Sequence, residues 1–497
     1  MRWAPRPSTW FYLAVAVLAS APAWIVKHPP IQDLPFHVAT IRILRSFWDP
    51  AYGFRDNFVL TLGRTQYVIY YVIGAVVSLF TGVVGANVLL VSAYLGGTVL
   101  ALRDLLRAMG KDERLSLFVL PLLVNVMFIY GLLPFVLAIP MMLWGFATAI
   151  RHFERPSLAS SALLCALALG VFYSHILPFG LFCIGYAALF PWRRPSRWLS
   201  AAVPAFPVAV VLSWWTFFTA AGKLARGAAT DSAADPHKNL DAAILDLPNW
   251  FTNVFRDTSD ELTLVALAFL VVLALGLSFG DKDTSRPGSR PYVLVPLACI
   301  VCYFVLPDGH GYIWLISQRF PILFAITAIP LLRMPRGGRG CAVTAAALAV
   351  GIFSVVNVCR HFIRFEIEEV GDIDGAIDTM EPGRKVCALI YDKTSAVTNT
   401  QPFLHFGSYY QVRKGGVVMF TYAGYAHWPV DFQPGKYPPP GGPARLRWEW
   451  MPEAVSMHEI YPYYDYVLTR GFGFRPPAGT YHLIFHDAHW AVWARDS

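Results

Sequence analysis

Apolar residues do not alternate along this chain; they run in long blocks broken by short polar clusters. A helix needs about 20 mostly apolar residues to cross the ~30 Å hydrocarbon layer of a bilayer. Eleven stretches approach that requirement: 10–26, 84–102, 114–130, 134–150, 157–172, 174–190, 199–219, 261–279, 292–306, 320–333 and 341–359. The two shortest, 292–306 and 320–333, must tilt little, thin the bilayer or borrow apolar flanks. The first stretch, WFYLAVAVLASAPAWIV, has no small-residue cleavage site ahead of a soluble domain, so it reads as a retained helix.

Composition supports the same class. Of 497 residues, 56% are apolar and 14% charged, against roughly 25% charged in a soluble domain. The seven cysteines fall almost entirely inside apolar runs, so no disulfide framework is implied, and Cys299 and Cys302 lack the second ligand pair that a zinc site would need. The net charge of +8 is spread over basic clusters between the apolar blocks. A nucleic-acid binder would gather that charge on one face, so membrane lipids rather than nucleic acid are the expected surroundings.

The basic clusters fix a topology. Arg2 and Arg6, Arg103 to Arg114, Arg151 and Arg155, Arg193 to Arg197, Lys282 to Arg290, and Arg333 to Arg339 all fall on one side if there are eleven spans. Basic loops stay cytoplasmic. The apolar stretch 67–82 would reverse every later loop if it crossed, so it is taken as an interfacial or re-entrant helix on the outer side. The expected protein is an α-helical polytopic membrane protein of about eleven spans, with its N-terminus in the cytoplasm. Its transmembrane domain covers 1–360, with outer juxtamembrane helices in 27–83 and 220–260. In the second of these, LDAAILDLPNWF repeats Leu240, Ile244, Leu247 and Phe251 at helical spacing, as an amphipathic surface helix does. From 361 to 497, helical and strand-like segments such as KVCALIYD, YDYVLTR, YHLIFH and WAVW alternate with Gly, Pro and Asp, which predicts an extracytoplasmic α/β domain large enough for its own core.

Candidate chemistry lies on the outer face. In HPPIQDLPFHVATIRILR, Asp33 and His37 are four residues apart, with Pro35 suited to the first turn of a helix. Both polar groups then share a face. Asp33 either caps that helix or serves as proton acceptor or metal ligand, and His37 can second either role. Arg64, beside Gln66, opens the stretch 67–82; His175 sits in YSHILP; and Asp308, His310 and Arg319 share the loop before 320–333. An arginine at the mouth of a span can hold a lipid phosphate through two parallel charge-assisted hydrogen bonds, or simply snorkel to headgroups. In the tail, His486 and His489 bracket a hairpin turn, and the aromatic string GYAHWPVDFQPGKYPPP reads as a sugar-stacking surface or as loop packing.

The arrangement resembles the glycosyltransferase C superfamily: many spans, a cytoplasmic N-terminus, an acidic residue in the first outer loop and a C-terminal outer domain. The strings DLPFHVA, SHILPFG, QRFPILF and YDYVLTRG resemble uncharacterised bacterial membrane proteins near that superfamily. The resemblance implies transfer of a sugar from a polyprenyl-phosphate carrier to an acceptor on the outer side of the bacterial inner membrane. In it the first-loop acid acts as base or helps bind a divalent metal ion, a position matched here by Asp33 alone. The family usually pairs two acids there, whereas Gln32 and Leu34 flank Asp33. The implied site has Asp33 and His37 as catalytic residues and Arg64, His175, His310 and Arg319 as binding residues. The rival reading is a lipid or glycan transporter, or an assembly scaffold whose outer domain binds a partner. A transporter should carry ionisable residues in mid-membrane, and these spans contain almost none.

Overall fold

The computed structural model describes residues 8–231, 237–281, 284–310, 313–439 and 449–496. Arg2, Arg6 and Lys282 of the basic clusters, and positions 232–236 of the loop 220–260, lie outside the described residues. Chain contacts form two compact units: Met1–Ala23, Val91–Phe128 and Pro134–Cys359 in one, and Trp24–Leu90, Ile129–Leu133 and Arg360–Ser497 in the other.

The helices follow the apolar blocks. Among the described residues, six are long and apolar enough to cross a membrane: Ile69–Met109, Leu133–Glu154, Pro195–Phe218, Ser259–Leu277, Pro287–Val305 and Gly337–Glu368. Three shorter apolar helices cover Thr9–Ala23, Leu158–Ser174 and Ile176–Leu189. Along Ser259–Leu277, one exposed stripe carries Leu262, Val265, Phe269, Val272 and Leu275, while Thr263, Leu267, Leu270 and Ala274 are buried. A helix apolar on both faces in this way needs lipid against its outer stripe.

The count of eleven is met only in part. Residues Glu113–Leu122 wind as a 3₁₀ helix interrupted by Pro121, followed by the single turn Val126–Ile129. Phe320–Ala328 is a helix of nine residues that tightens into a 3₁₀ turn at Ile329–Leu331. Hydropathy registers the apolar content of these stretches but not the prolines that stop an α-helix from extending. Helix Ile69–Met109 breaks at Gly82, whose φ of 71° and ψ of 168° lie outside helical space. The break falls where the stretch 67–82 gives way to the block beginning at 84.

The second unit is built on a five-stranded sheet. Strands β1 (Phe58–Leu60) and β6 (Val430–Phe432) form a small antiparallel pair, and the hairpin of β2 (Gly309–His310) and β3 (Ile313–Trp314) belongs to the first unit. The main sheet joins β4 (Lys385–Ile390), β5 (Val417–Val418), β7 (Tyr466–Arg470), β8 (Tyr481–His486) and β9 (Trp490–Arg495) in the order β5-β4-β7-β9-β8. β4 runs parallel to β5 and β7, and β9 runs antiparallel to β7 and β8. Asp487 makes the predicted turn at HDAHW, its Oδ1 accepting from the amides of His489 and Trp490 at 2.8 and 2.5 Å.

The tail does not close a core by itself. Cys387, Leu389, Met419, Phe420, Ile460, Tyr464, Val467 and Tyr481 pack with Phe36, which comes from helix Leu34–Arg45 near the other end of the chain. The same helix packs on Ser408–Lys414, and Arg42 Nε donates to the carbonyl of Val412 at 2.8 Å. The segment after the first apolar block is therefore an integral part of the α/β unit, which sets its acidic residue inside a folded core.

Candidate active site

Asp33 stands at the N-cap position of helix Leu34–Arg45, with Pro35 in the first turn. Its carboxylate makes no capping hydrogen bond. A short bracket holds its backbone: Gln32 N donates to Ile129 O at 2.9 Å and Asp33 N to Tyr130 O at 3.2 Å. The next residue of that bracket, Gly131, has φ of 86°, and a Cβ there would sit 2.6 Å from Asp33 N. Only glycine fits this turn without strain.

His37, one turn on, is buried and spent on the same bracket. Its Nε2 lies 2.7 Å from Gly131 O and its Nδ1 2.8 Å from the Tyr71 hydroxyl. A carbonyl can only accept, so Nε2 carries the proton and Nδ1 accepts from Tyr71. Burial pushes the His37 pKa down to about 4, against the smaller opposing pull of Asp33 and Gly131 O, and the nearby His405 charge adds to the fall. The ring is neutral near pH 7, with neither nitrogen left for a substrate or a metal. It positions the turn that carries Asp33.

The Asp33 carboxylate instead meets three side chains of the tail within the same unit. Tyr422 donates its hydroxyl to Oδ2 at 2.9 Å. His405 places Nδ1 3.1 Å from Oδ1, and its Nε2 lies 2.5 Å from Oε1 of Glu449. Both are ion-pair contacts without hydrogen-bond alignment, so Asp33 Oδ1, His405 Nδ1 and Glu449 Oε1 remain buried polar atoms with no hydrogen bond. The imidazole stacks on Phe36 with ring centroids 3.8 Å apart. Asp33, His405 and Glu449 are buried, at 6%, 4% and 7% exposed.

Electrostatics follow from that enclosure. Burial disfavours charge on His405, but the Glu449 and Asp33 carboxylates outweigh it and raise the pKa to about 9. His405 is thus an imidazolium at neutral pH. Burial, reinforced by the Asp33 and Glu449 charges, holds the Tyr422 phenol well above its usual value, so it stays a donor. Two buried carboxylates thus face one imidazolium.

His175 and Arg319, both in the first unit, are also brought together. His175 caps helix Ile176–Leu189, its Nδ1 accepting from Leu177 N at 3.1 Å, and its Nε2 meets Arg319 Nη1. Arg319 Nη2 donates to Trp314 O at 3.0 Å, and the guanidinium lies over the Phe135 ring at 5.6 Å. His310 pairs with Ile313 in the β2–β3 hairpin of the same loop. Arg64, in the other unit, is exposed on a turn closed by its amide to Thr61 O at 2.9 Å.

Of the aromatic string, Trp428 is packed rather than offered to a ligand. It is buried, its Nε1 donates to Thr40 Oγ1 at 3.0 Å, and its ring touches those of Tyr71, Tyr422 and His37. Among the described residues, no group of three or more His, Cys, Asp and Glu side chains is arranged to hold a metal ion. With both His37 nitrogens engaged and Asp33 Oδ1 facing His405, the Asp33–His37 pair does not form an open donor set.

His405, Glu449 and Tyr422 escape the sequence reading. Their signals there are faint: a lone histidine in PFLHFG and a glutamate between two tryptophans in WEW.

No family model matches the sequence, and no curated protein matches it. Among solved structures, the chain is similar to ArnT from Cupriavidus metallidurans bound to undecaprenyl phosphate, at 10% identity and a TM-score of 0.55, over 98% of this chain and 98% of that one. The apo state of ArnT from the same organism matches at 10% identity and a TM-score of 0.55, over 98% of this chain and 97% of that one. The chain therefore shares the fold of ArnT along nearly its whole length.

Proposed function

We propose that this protein is a glycosyltransferase of the bacterial inner membrane that moves a sugar from a polyprenyl-phosphate carrier to an extracytoplasmic acceptor. The observation that carries the reading is the state of Asp33. A helix-capping aspartate would spend its carboxylate on backbone amides; this one makes no such bond and is buried against a phenol and an imidazolium. The fold adds support, since a neighbour with that fold binds undecaprenyl phosphate.

In this reading Asp33 takes the proton of the acceptor hydroxyl as its oxygen bonds to the anomeric carbon. The bond from that carbon to the carrier's phosphate oxygen breaks, and its electron pair leaves with the phosphate. His37 keeps the Asp33 turn in register. Arg319, with His175 and His310 of the same unit, is assigned to the carrier phosphate, where developing charge makes a fixed guanidinium most effective, and Arg64 of the other unit is assigned separately to substrate binding. The glycosyl-phosphate bond supplies the driving force, so no nucleotide is required. The N-terminus lies in the cytoplasm and residues 361–497 lie outside.

The test is transfer from radiolabelled undecaprenyl-phosphoryl sugars in membranes that contain the full chain. Asp33→Asn should abolish transfer per folded molecule, with thermal unfolding of the detergent-solubilised variant giving the folded fraction against which the loss is read. Undiminished transfer in that variant removes Asp33 as the base.

A further inference from the structure

The contacts of His405 are unequal. Stacking on Phe36 fixes the ring, and within that constraint it lies 2.5 Å from Glu449 and 3.1 Å from Asp33. A single carboxylate facing a buried cation would form a closed ion pair and lose most of its basicity. Here a second carboxylate takes the closer contact. The imidazolium thus leans toward Glu449 and leaves the longer contact to Asp33.

We propose, resting on Asp33 as proton acceptor, that His405 and Glu449 are the positioning residues of the Asp33 site: Glu449 anchors the imidazolium, which fixes where the Asp33 carboxylate points. During transfer the acceptor's proton goes to Asp33, and His405 keeps its own proton throughout. Among the described residues, the titratable groups facing His405 are Asp33, Glu449 and the Tyr422 phenol, with His37 further off, beyond Asp33. Tyr422 remains a phenol and His37 neutral around pH 7.

The two positioning residues should therefore move the pH profile of transfer in opposite directions. The probe is a set of radiolabelled undecaprenyl-phosphoryl hexoses, given to membranes carrying the full chain. His405→Gln leaves Asp33 and Glu449 opposed with no cation, so the acid limb should move to higher pH by about one unit or more. Glu449→Gln leaves Asp33 alone with the imidazolium, so the limb should move to lower pH and the plateau rate should fall. A merely structural role would lower the amount of active protein without moving either limb. That result, with Asp33→Asn inactive, overturns this inference and leaves the functional reading standing; transfer by Asp33→Asn removes both. If His405→Gln fails to fold, Glu449→Gln carries the test.

A second measurement needs no substrate. Histidine nitrogen resonances of the purified full chain at about pH 8 should show His405 as imidazolium in the wild type. A neutral His405 in the wild type overturns the proposal.

Discussion

The hydroxyl of Tyr422 donates to Oδ2 of Asp33 over 2.9 Å, across a sequence separation of 389 residues. A hydrogen bond to a carboxylate favours its ionised form, and this one also aims the Asp33 carboxylate. Tyr422→Phe should therefore shift the acid limb of sugar transfer upward by about one pH unit and destabilise the protein by roughly 1.5–3 kcal/mol, the usual range for a bond to a charged group. Transfer measured against pH, beside thermal unfolding in detergent, checks both. An unmoved limb would mean that Tyr422 contributes only packing.

Gly131 makes a separate demand on the same turn. With φ of 86° and Asp33 N only 2.6 Å from where a Cβ would sit, alanine is both strained and in collision with backbone. The strain alone costs about 1–3 kcal/mol. Relief has to come from movement of the 32–37 turn, so Gly131→Ala should lower transfer per folded molecule as well as the unfolding temperature. Full specific activity in the folded fraction would show that the bracket is not needed to place Asp33.

How far these features were legible in the sequence depended on distance along the chain. Asp33 and the helix after it stand out because Pro35 and the apolar residues that follow are local signals. His405 and Glu449 do not, because each is one polar residue in an aromatic or apolar string, and only folding places them beside Asp33. The same limit explains Phe36, which reads only as part of the helix that starts at Pro35 yet joins the core of a sheet formed by the tail. The apolar blocks announced a membrane protein, but 114–130 shows where hydropathy stops. It measures transfer cost, and it does not see that Glu113–Leu122 winds as a 3₁₀ helix.

Two histidines of the site should give stability a maximum near pH 6.5, the value each holds when unfolded. His405 has its pKa raised to about 9, so the stability it contributes is complete below 6.5 and is lost as pH rises through 9. His37 has its pKa lowered to about 4, so the unfolded chain takes up a proton first and stability falls as pH drops from 6.5 through 4. Unfolding temperatures of the purified protein across this range check the shape. His405→Gln should flatten the alkaline side only, and His37→Gln the acid side only. A variant that changes both slopes, or neither, contradicts these assignments.

Sidedness can be tested at two exposed arginines. Arg107 ends helix Ile69–Met109 within a basic cluster, and Arg475 lies between β7 and β8 in the tail. The positive-inside rule puts the first in the cytoplasm, and a site that acts on an extracytoplasmic acceptor needs the second outside. In intact cells, a membrane-impermeant maleimide should label Arg475→Cys above the wild-type background and leave Arg107→Cys unlabelled until the membrane is opened. The seven native cysteines are free, so the wild-type control is essential. Labelling of Arg107→Cys from outside would invert the topology. Asp33 shares its folded unit with the tail, so it would then face the cytoplasm, and an outer acceptor could not reach it.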